Sequence, residues 1–233
     1  MVAPEFNPKN SYYFYIIRSG LYKKISEYQH LLTGKMLDFG CGSKPYQSLF
    51  TNISEYIGVD YAGEGHSHEN ENIDVYYDGK KLPFPDNSFN SIFSSEVLEH
   101  IFNPDEILAE LNRVLVPGGK ILITCPFVWN EHEVPIDYAR YTQFALSHLL
   151  EKHNFNIVKL DKAGDFLSVI HQLRIMYFRD VYLEKANVLP IFLRRWLRFL
   201  GIPWMNFIFR VKRKIFPTSY DFYFNNIVIA EKR

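Results

Sequence analysis

Residues 36–46, Met-Leu-Asp-Phe-Gly-Cys-Gly-Ser-Lys-Pro-Tyr, constrain this chain more than any other stretch. A short apolar run that ends in an acid and two glycines one residue apart describes a buried strand whose chain turns sharply at its carboxyl end. Such a turn opens space for a ligand.

The alternation continues downstream. Strands are expected at 56–59, ending at Asp60; at 73–77, ending at Asp78 and Gly79; at 91–94; and at 120–125. Before the first strand, Phe14, Ile17, Leu21, Ile25, Tyr28 and Leu32 recur at the spacing of an amphipathic helix over 12–32. Ser43 and Pro45 are placed to open a helix running to Leu49. Asn103-Pro104-Asp105-Glu106 combines a capping side chain, a first-turn proline and acids at the positive end of a dipole. Ile107, Leu108, Leu111, Val114 and Leu115 give that helix a buried stripe, and Pro117-Gly118-Gly119 stops it. The proline-rich run at 81–89 reads as an ordered loop. Thr142 caps a helix to His153, and strands follow at 156–160 and 222–230.

Strands alternating with helices at this pace predict an α/β fold: a doubly wound, mostly parallel sheet of seven strands, helices on both faces, an antiparallel last strand and a helical insertion before it. In such sheets ligands sit beyond the carboxyl ends of the strands, where strand order reverses. That rule gathers Asp38, Gly40, Cys41, Gly42, Asp60, Asp78 and residues 94–96 around one crevice.

Composition excludes several classes. Lysine plus arginine equals aspartate plus glutamate at 26 each, so no net charge steers the chain to nucleic acid. Cys41 and Cys125 offer no disulfide framework, and the amino terminus lacks the basic and apolar regions of a secretory signal, so a cytoplasmic location is expected. No apolar run approaches the roughly 20 residues that span a bilayer. His66 and His68 lack a third ligand nearby and read as solvated loop residues, so no metal site is expected.

The glycine turn alone fits several nucleotide ligands. A dinucleotide fingerprint needs a third glycine where this chain has Pro45. Asp38, two residues before the first glycine, suits a cationic or amine-bearing ligand better than a pyrophosphate. Asp60 suits ribose hydroxyls, and Asp78 can accept from an exocyclic amine. An adenosine carrying an amino acid and a positive centre satisfies all three.

Residues 37–42 (Leu-Asp-Phe-Gly-Cys-Gly), 58–61 (Gly-Val-Asp-Tyr), Asp78 with 82–89 (Leu-Pro-Phe-Pro-Asp-Asn-Ser-Phe), 95–101 (Ser-Glu-Val-Leu-Glu-His-Ile) and the 113–119 run ending in Pro-Gly-Gly resemble the class I S-adenosylmethionine-dependent methyltransferases. The resemblance covers about residues 34–126. It implies S-adenosylmethionine as cofactor, with Asp38, Gly40, Cys41 and Gly42 at its methionine end and Asp60 with Tyr61 at the ribose. It further implies Asp78 with Gly79 at the adenine amine, and Ser95 with Glu96 closing the site. Asn90 stands where the family usually has aspartate, a local capping difference. Cys41 is a small filler without chemistry of its own. Glu99 and His100 read as supports of the site or as turn caps.

Methyl transfer is an in-line displacement, so the protein mainly holds the acceptor in line and excludes water. A hydroxyl acceptor also benefits from a base. Residues 126–142, after the fifth strand, carry His132, Asp137, Tyr138, Arg140 and Tyr141. This loop resembles that of a family branch found among bacterial enzymes that modify sugars. We read His132 as general base or substrate hydrogen-bonding partner, Asp137 and Arg140 as fixing the loop, and Tyr138, Arg140 and Tyr141 as substrate contacts. Equally open is a structural reading, in which His132 caps a turn and Arg140 pairs with Asp137.

The insertion is the second distinctive feature. Residues 185–214 hold eight basic residues and no acid, interleaved with Phe192, Trp196, Phe199, Trp204, Phe207 and Phe209. Pro190, Gly201 and Pro203 are expected to break it into short pieces. A basic, tryptophan-bearing amphipathic segment suits peripheral membrane contact. A helical cap over the acceptor, with snorkelling arginines, suits it equally. Nucleic acid fits worse, because the segment is too apolar for a groove binder.

The expected organisation is one domain over 1–233: a helical lid or packing segment at 1–33, a cofactor-binding core at 34–164, the insertion at 165–220 and the last strand at 221–233. The expected function is methyl transfer from S-adenosylmethionine to a small-molecule or glycan acceptor, most simply a sugar hydroxyl. A small lipid or aromatic acceptor, or a non-catalytic cofactor-binding scaffold, are the alternatives. The sequence leaves the oligomeric state open.

Overall fold

The computed structural model of the protein describes residues 6–63, 72–185 and 189–233. His66 and His68 lie outside them. The seven strands are β1 (Gly34–Phe39), β2 (Ile53–Tyr61), β3 (Val75–Tyr77), β4 (Phe89–Ser95), β5 (Leu115–Pro126), β6 (Phe155–Ala163) and β7 (Asn225–Lys232). They form one sheet in the order β3-β2-β1-β4-β5-β7-β6. The pairs β1–β2, β1–β4, β2–β3 and β4–β5 are parallel, and β7 runs antiparallel to β5. Chain order reverses between β1 and β4, and this is the switch point at which a parallel sheet opens a crevice.

The central strands are apolar along most of their length because both faces are covered. Leu37 and Phe39 of β1, Ile92 of β4 and Ile121 and Ile123 of β5 are all buried. Helix α2 (Pro104–Val114) lays Ile107, Leu108, Leu111 and Val114 into this core. Helix α3 (Gln143–Lys152) is capped by Thr142, whose hydroxyl accepts from the Ala145 amide, and buries Leu146 and Leu150.

Two compact units are distinguished among the described residues: those within 24–161 with 225–233, and those within 6–23 with 162–224. The first holds the greater part of the sheet. Within the second, α4 (Phe166–Met176) starts at the buried Asp165, which accepts from the Ser168 amide and pairs with Arg213 of α5 (Ile191–Ile215). The buried Asn206 of α5 donates to the carbonyls of Asn10 and Tyr12, and Gln172 of α4 donates to that of Tyr13. Helix α1 (Tyr15–Tyr28) follows this anchored segment.

Three local expectations are corrected. The helix expected over 43–49 is a single short turn, Gln47–Leu49. Lys44 lies in the left-handed region at φ 53°, a conformation that cannot continue a helix. Its side chain is buried with the amine 2.5 Å from Asp74, which holds that turn in place.

The Pro117-Gly118-Gly119 stop lies inside the span of β5. Leu115 pairs with Phe89 and Lys120 with Ser91, so residues 116–119 bulge opposite Asn90.

The insertion is not broken at Gly201 and Pro203, which both lie within the 25-residue α5. Proline removes one helical hydrogen bond at a cost of about 3 kcal/mol. Burial of Ile202, Asn206 and Phe209 along one face opposes that loss. Gly201 also brings the helix near the Phe178 ring, where a Cβ would sit 3.4 Å away.

Candidate functional site

The turn after β1 is built by exclusion of side chains. Gly40 has φ 72°, and a Cβ there would stand 2.3 Å from Val97. The Gly40 and Cys41 amides both donate to the Val59 carbonyl at the end of β2. Gly58 opposite must also lack a side chain, since a Cβ would collide with Lys44 and Cys41. The Gly42 amide donates to Asp60 Oδ2 at 2.8 Å, and Asp60 Oδ1 accepts from the Tyr61 amide.

Beyond these strand ends lies a cavity of about 720 Å³. That volume lies within the usual range for small-molecule sites. Gly40 and Gly42 from β1, Asp60 and Tyr61 from β2, Asp78 and Gly79 after β3, and Glu96 after β4 line it. Four strand ends therefore converge on one space, as the switch-point rule expects. Three wall positions without Cβ let backbone come close to a ligand.

The exposed Asp78 is held below the usual carboxylate range by the Lys80 and Lys81 amides. Gly79, at φ 83°, lies under the Tyr61 ring. Glu96 adopts φ 58°, rare outside glycine, and its two oxygens accept from Thr124 and Asn225. Ser95 shares a hydrogen bond with the same threonine at 2.8 Å and does not line the cavity.

Asp38 is buried beneath the turn, where its carboxylate accepts from the Tyr56 hydroxyl. It is not among the lining residues. Burial pushes its pKa up to about 7, against the opposing hydrogen bond from Tyr56. Cys41 is buried, and desolvation drives its thiol well above the ordinary range. Asn90 Oδ1 accepts from the Lys35 amide at 2.9 Å, pinning the start of β1.

The loop after β5 is clasped to the helical turn Leu98–His100. The Glu99 carbonyl accepts from the Tyr138 and Ala139 amides. Arg140 makes two 2.6 Å bonds to Asp137 and donates to the carbonyls of Asn130 and Ala139. Asp137 in turn accepts from the His132 amide. His132 Nε2 lies 3.2 Å from His100 Nε2, and His100 Nδ1 lies 3.0 Å from the Ile136 carbonyl. Tyr138 lines the cavity, whereas His132, Arg140 and Tyr141 do not. The Tyr141 carbonyl accepts from Asn226 on β7.

Val97, His100, Phe102 and Glu106 also line the cavity, as do Glu133 and Ile136. Val97 and His100 belong to the 95–101 run already singled out; for Phe102, Glu106, Glu133 and Ile136 the only sequence signal is position after the fourth strand and within the loop. The Lys44–Asp74 pair beneath the turn had no signal, because a lysine after a glycine turn reads as solvent-facing.

A family model described as a methyltransferase domain matches residues 37–123. Over 153 residues the chain is 27% identical to a probable S-adenosylmethionine-dependent methyltransferase of Mycolicibacterium smegmatis, covering 61% of this chain and 58% of that protein. Over 99 residues it is 35% identical to a sterol 24-C-methyltransferase of Gibberella zeae, covering 36% of this chain and 26% of that one. The solved phosphoethanolamine N-methyltransferase 2 of Haemonchus contortus, in complex with S-adenosyl-L-methionine, superposes with a TM-score of 0.54 at 19% identity, covering 98% of this chain and 55% of that one. That last likeness is one of fold. The chain spans less than two thirds of the length of the curated relatives it matches.

Proposed function

We propose, for a chain whose residues 37–123 match a methyltransferase-domain family model, that the protein transfers a methyl group from S-adenosylmethionine to an oxygen acceptor, a hydroxyl of a sugar or of a glycan-linked substrate. The observation that carries the cofactor is the cavity in which Gly40, Gly42, Asp60, Asp78 and Glu96 meet beyond four strand ends. The donor set fits: carboxylates for ribose hydroxyls and an adenine amine, and glycine backbone where the ligand must come close. When bound, the cofactor supplies an electrophilic methyl on a sulfonium. The chain's own task is to orient the acceptor and exclude water. The loop of residues 126–142 and the turn at His100 border the same cavity and are the natural place for the acceptor.

A second reading concerns where the acceptor resides. Helix α5 buries one face and leaves a second apolar stripe, Phe192, Trp196, Phe199, Trp204, Phe207, Val211 and Ile215, in solvent. Arg210 and Lys214 sit on that stripe, and together with Phe207, Val211 and Ile215 they line a shallow groove. A stripe of aromatics edged by cations favours an anionic membrane surface, and with it a lipid-linked acceptor. No helix among the described residues is long and apolar enough to cross a membrane.

Mass spectrometry of the natively purified chain tests the cofactor, with S-adenosylhomocysteine or S-adenosylmethionine expected at one equivalent after loading. Incubation with sugar-lipid and small aromatic acceptors then tests the reaction. Formation of S-adenosylhomocysteine only with the former supports the glycan reading; turnover only of lipid or aromatic acceptors replaces it. Binding without turnover of any acceptor leaves a scaffold.

A further inference from the structure

Glu99, His100 and His132 present one ligand atom each within 4.8 Å of one another. Burial alone does not explain how they are turned. The Nδ1 of His100 faces the Ile136 carbonyl at 3.0 Å. The Nδ1 of His132 faces the Asn130 carbonyl and the Asp137 carboxylate, both at 3.3 Å, with the Arg140 guanidinium 3.5 Å away. Where each Nδ1 holds the ring proton against these oxygens, the two Nε2 lone pairs face one another across 3.2 Å. Two lone pairs at that distance repel unless a proton or a metal ion lies between them.

The third member, Glu99, is fully buried, and its Oε1 has no hydrogen-bond partner. It stands 3.8 Å from His100 Nε2. Metal–nitrogen bonds of about 2.1 Å across a 3.2 Å separation subtend roughly 100°, between octahedral and tetrahedral angles. Glu99 Oε1 has to move inward to share the ion, and its lack of a partner leaves it free to do so. The backing of both imidazoles by oxygen acceptors on their far nitrogens is how metal-bound histidines are held.

We propose that Glu99, His100 and His132 bind a divalent first-row transition ion. Two imidazoles and one carboxylate favour such an ion over magnesium. Three protein ligands leave positions open, and His100, Glu133 and Ile136 place that opening on the cavity. Resting on the methyltransferase reading, the site takes an acceptor through its oxygen. Coordination lowers the hydroxyl pKa, and the hydroxyl proton passes to water. The methyl–sulfur bond breaks with its electron pair kept by sulfur as the carbon–oxygen bond forms. The acceptor class is therefore a hydroxyl, preferentially one of a vicinal pair able to chelate.

The test uses the full chain without an affinity tag, stripped with a chelator, dialysed and titrated with Co²⁺ while visible d–d absorption is followed. One equivalent is expected, displaced by Zn²⁺. His132→Ala and Glu99→Gln are each expected to weaken Co²⁺ binding by at least about tenfold, since even outer partners of metal ligands command 10–100-fold. S-adenosylhomocysteine titrated into the same preparations shows that the variants remain folded. Wild type that binds the nucleoside but gives no Co²⁺ band, or a band unchanged in both variants, overturns the metal site and leaves the methyltransferase reading intact. A Co²⁺ site without nucleoside binding supports the metal and removes the methyltransferase reading. A proton shared between His100 and His132, with no metal, predicts the first of these results.

Discussion

The carboxylate of Asp60 accepts the amide of Gly42 at 2.8 Å, across 18 residues of sequence. The end of β2 thereby holds the turn that follows β1, and one acid both shapes the cavity wall and faces into it. The glycine turn and the acid are one structural unit.

That unit fails if the turn gains a side chain. Gly40→Ala places a methyl against Val97 and a non-glycine residue at φ 72°. The backbone alone costs roughly 1–2 kcal/mol, and the clash adds to it. A urea unfolding curve is expected to show a lower midpoint with unchanged slope. A midpoint equal to wild type contradicts the tight approach of Val97.

Asp38 makes stability depend on pH. Its folded pKa, raised by burial to about 7, exceeds the roughly 3.9 of an unfolded aspartate. Between those values the folded chain binds the extra proton, so this residue lowers stability as pH rises from about 4 to 7, and the loss is complete above that. Asp38→Asn removes the dependence while keeping an acceptor for Tyr56. Relative to wild type, the variant is expected to gain on the order of 2–4 kcal/mol between pH 4.5 and pH 8. Unfolding at the two pH values, with no such divergence, contradicts it.

Arg140 holds the loop after β5 through Asp137, whose carboxylate is almost wholly buried. Chiefly through this arginine, and against burial, the Asp137 pKa is held well below the carboxylate range. A depressed carboxylate contributes stability above the unfolded pKa and loses it as pH falls through the folded one. Arg140→Ala is expected to destabilise by about 2–4 kcal/mol at neutral pH, with the deficit shrinking on acidification. Lysine at this position cannot make the paired bonds and recovers less than half. Thermal melts at neutral and acid pH check both points.

The exposed stripe of α5 predicts binding to anionic vesicles. Each basic residue near a charged surface is worth about 1 kcal/mol, so replacing Arg195, Arg210 and Lys214 by glutamine should weaken binding by roughly 100-fold. Trp196→Ser and Trp204→Ser should weaken it further without changing its salt dependence. Sedimentation with phosphatidylserine vesicles reads the result, and binding indifferent to both sets of changes removes the membrane reading.

The sheet was legible because buried strands and helix starts write themselves locally: Pro104 opens α2 and Thr142 caps α3, although Asn103, expected to cap α2, makes no capping hydrogen bond. Gly40, Gly42, Asp60 and Asp78 were legible because the switch-point rule gathers strand ends, whereas Asp38 and Cys41, expected beside them, lie off the lining. Other features depend on partners far along the chain. Lys44 is buried because Asp74 waits under the turn. Gly201 and Pro203 stay helical because the flanking face of α5 is buried. The Nε2 contact of His100 with His132 joins residues 32 apart, and no spacing rule announces it.

The central claim is that the Asp60 wall of this cavity binds the cofactor. Calorimetric titration with S-adenosylhomocysteine tests it most directly, comparing wild type with Asp60→Ala. One site is expected in wild type, and a charge-assisted partner worth about 1.5–3 kcal/mol predicts an affinity at least tenfold lower in the variant. No binding by wild type, or equal binding by a folded Asp60→Ala chain, contradicts the account.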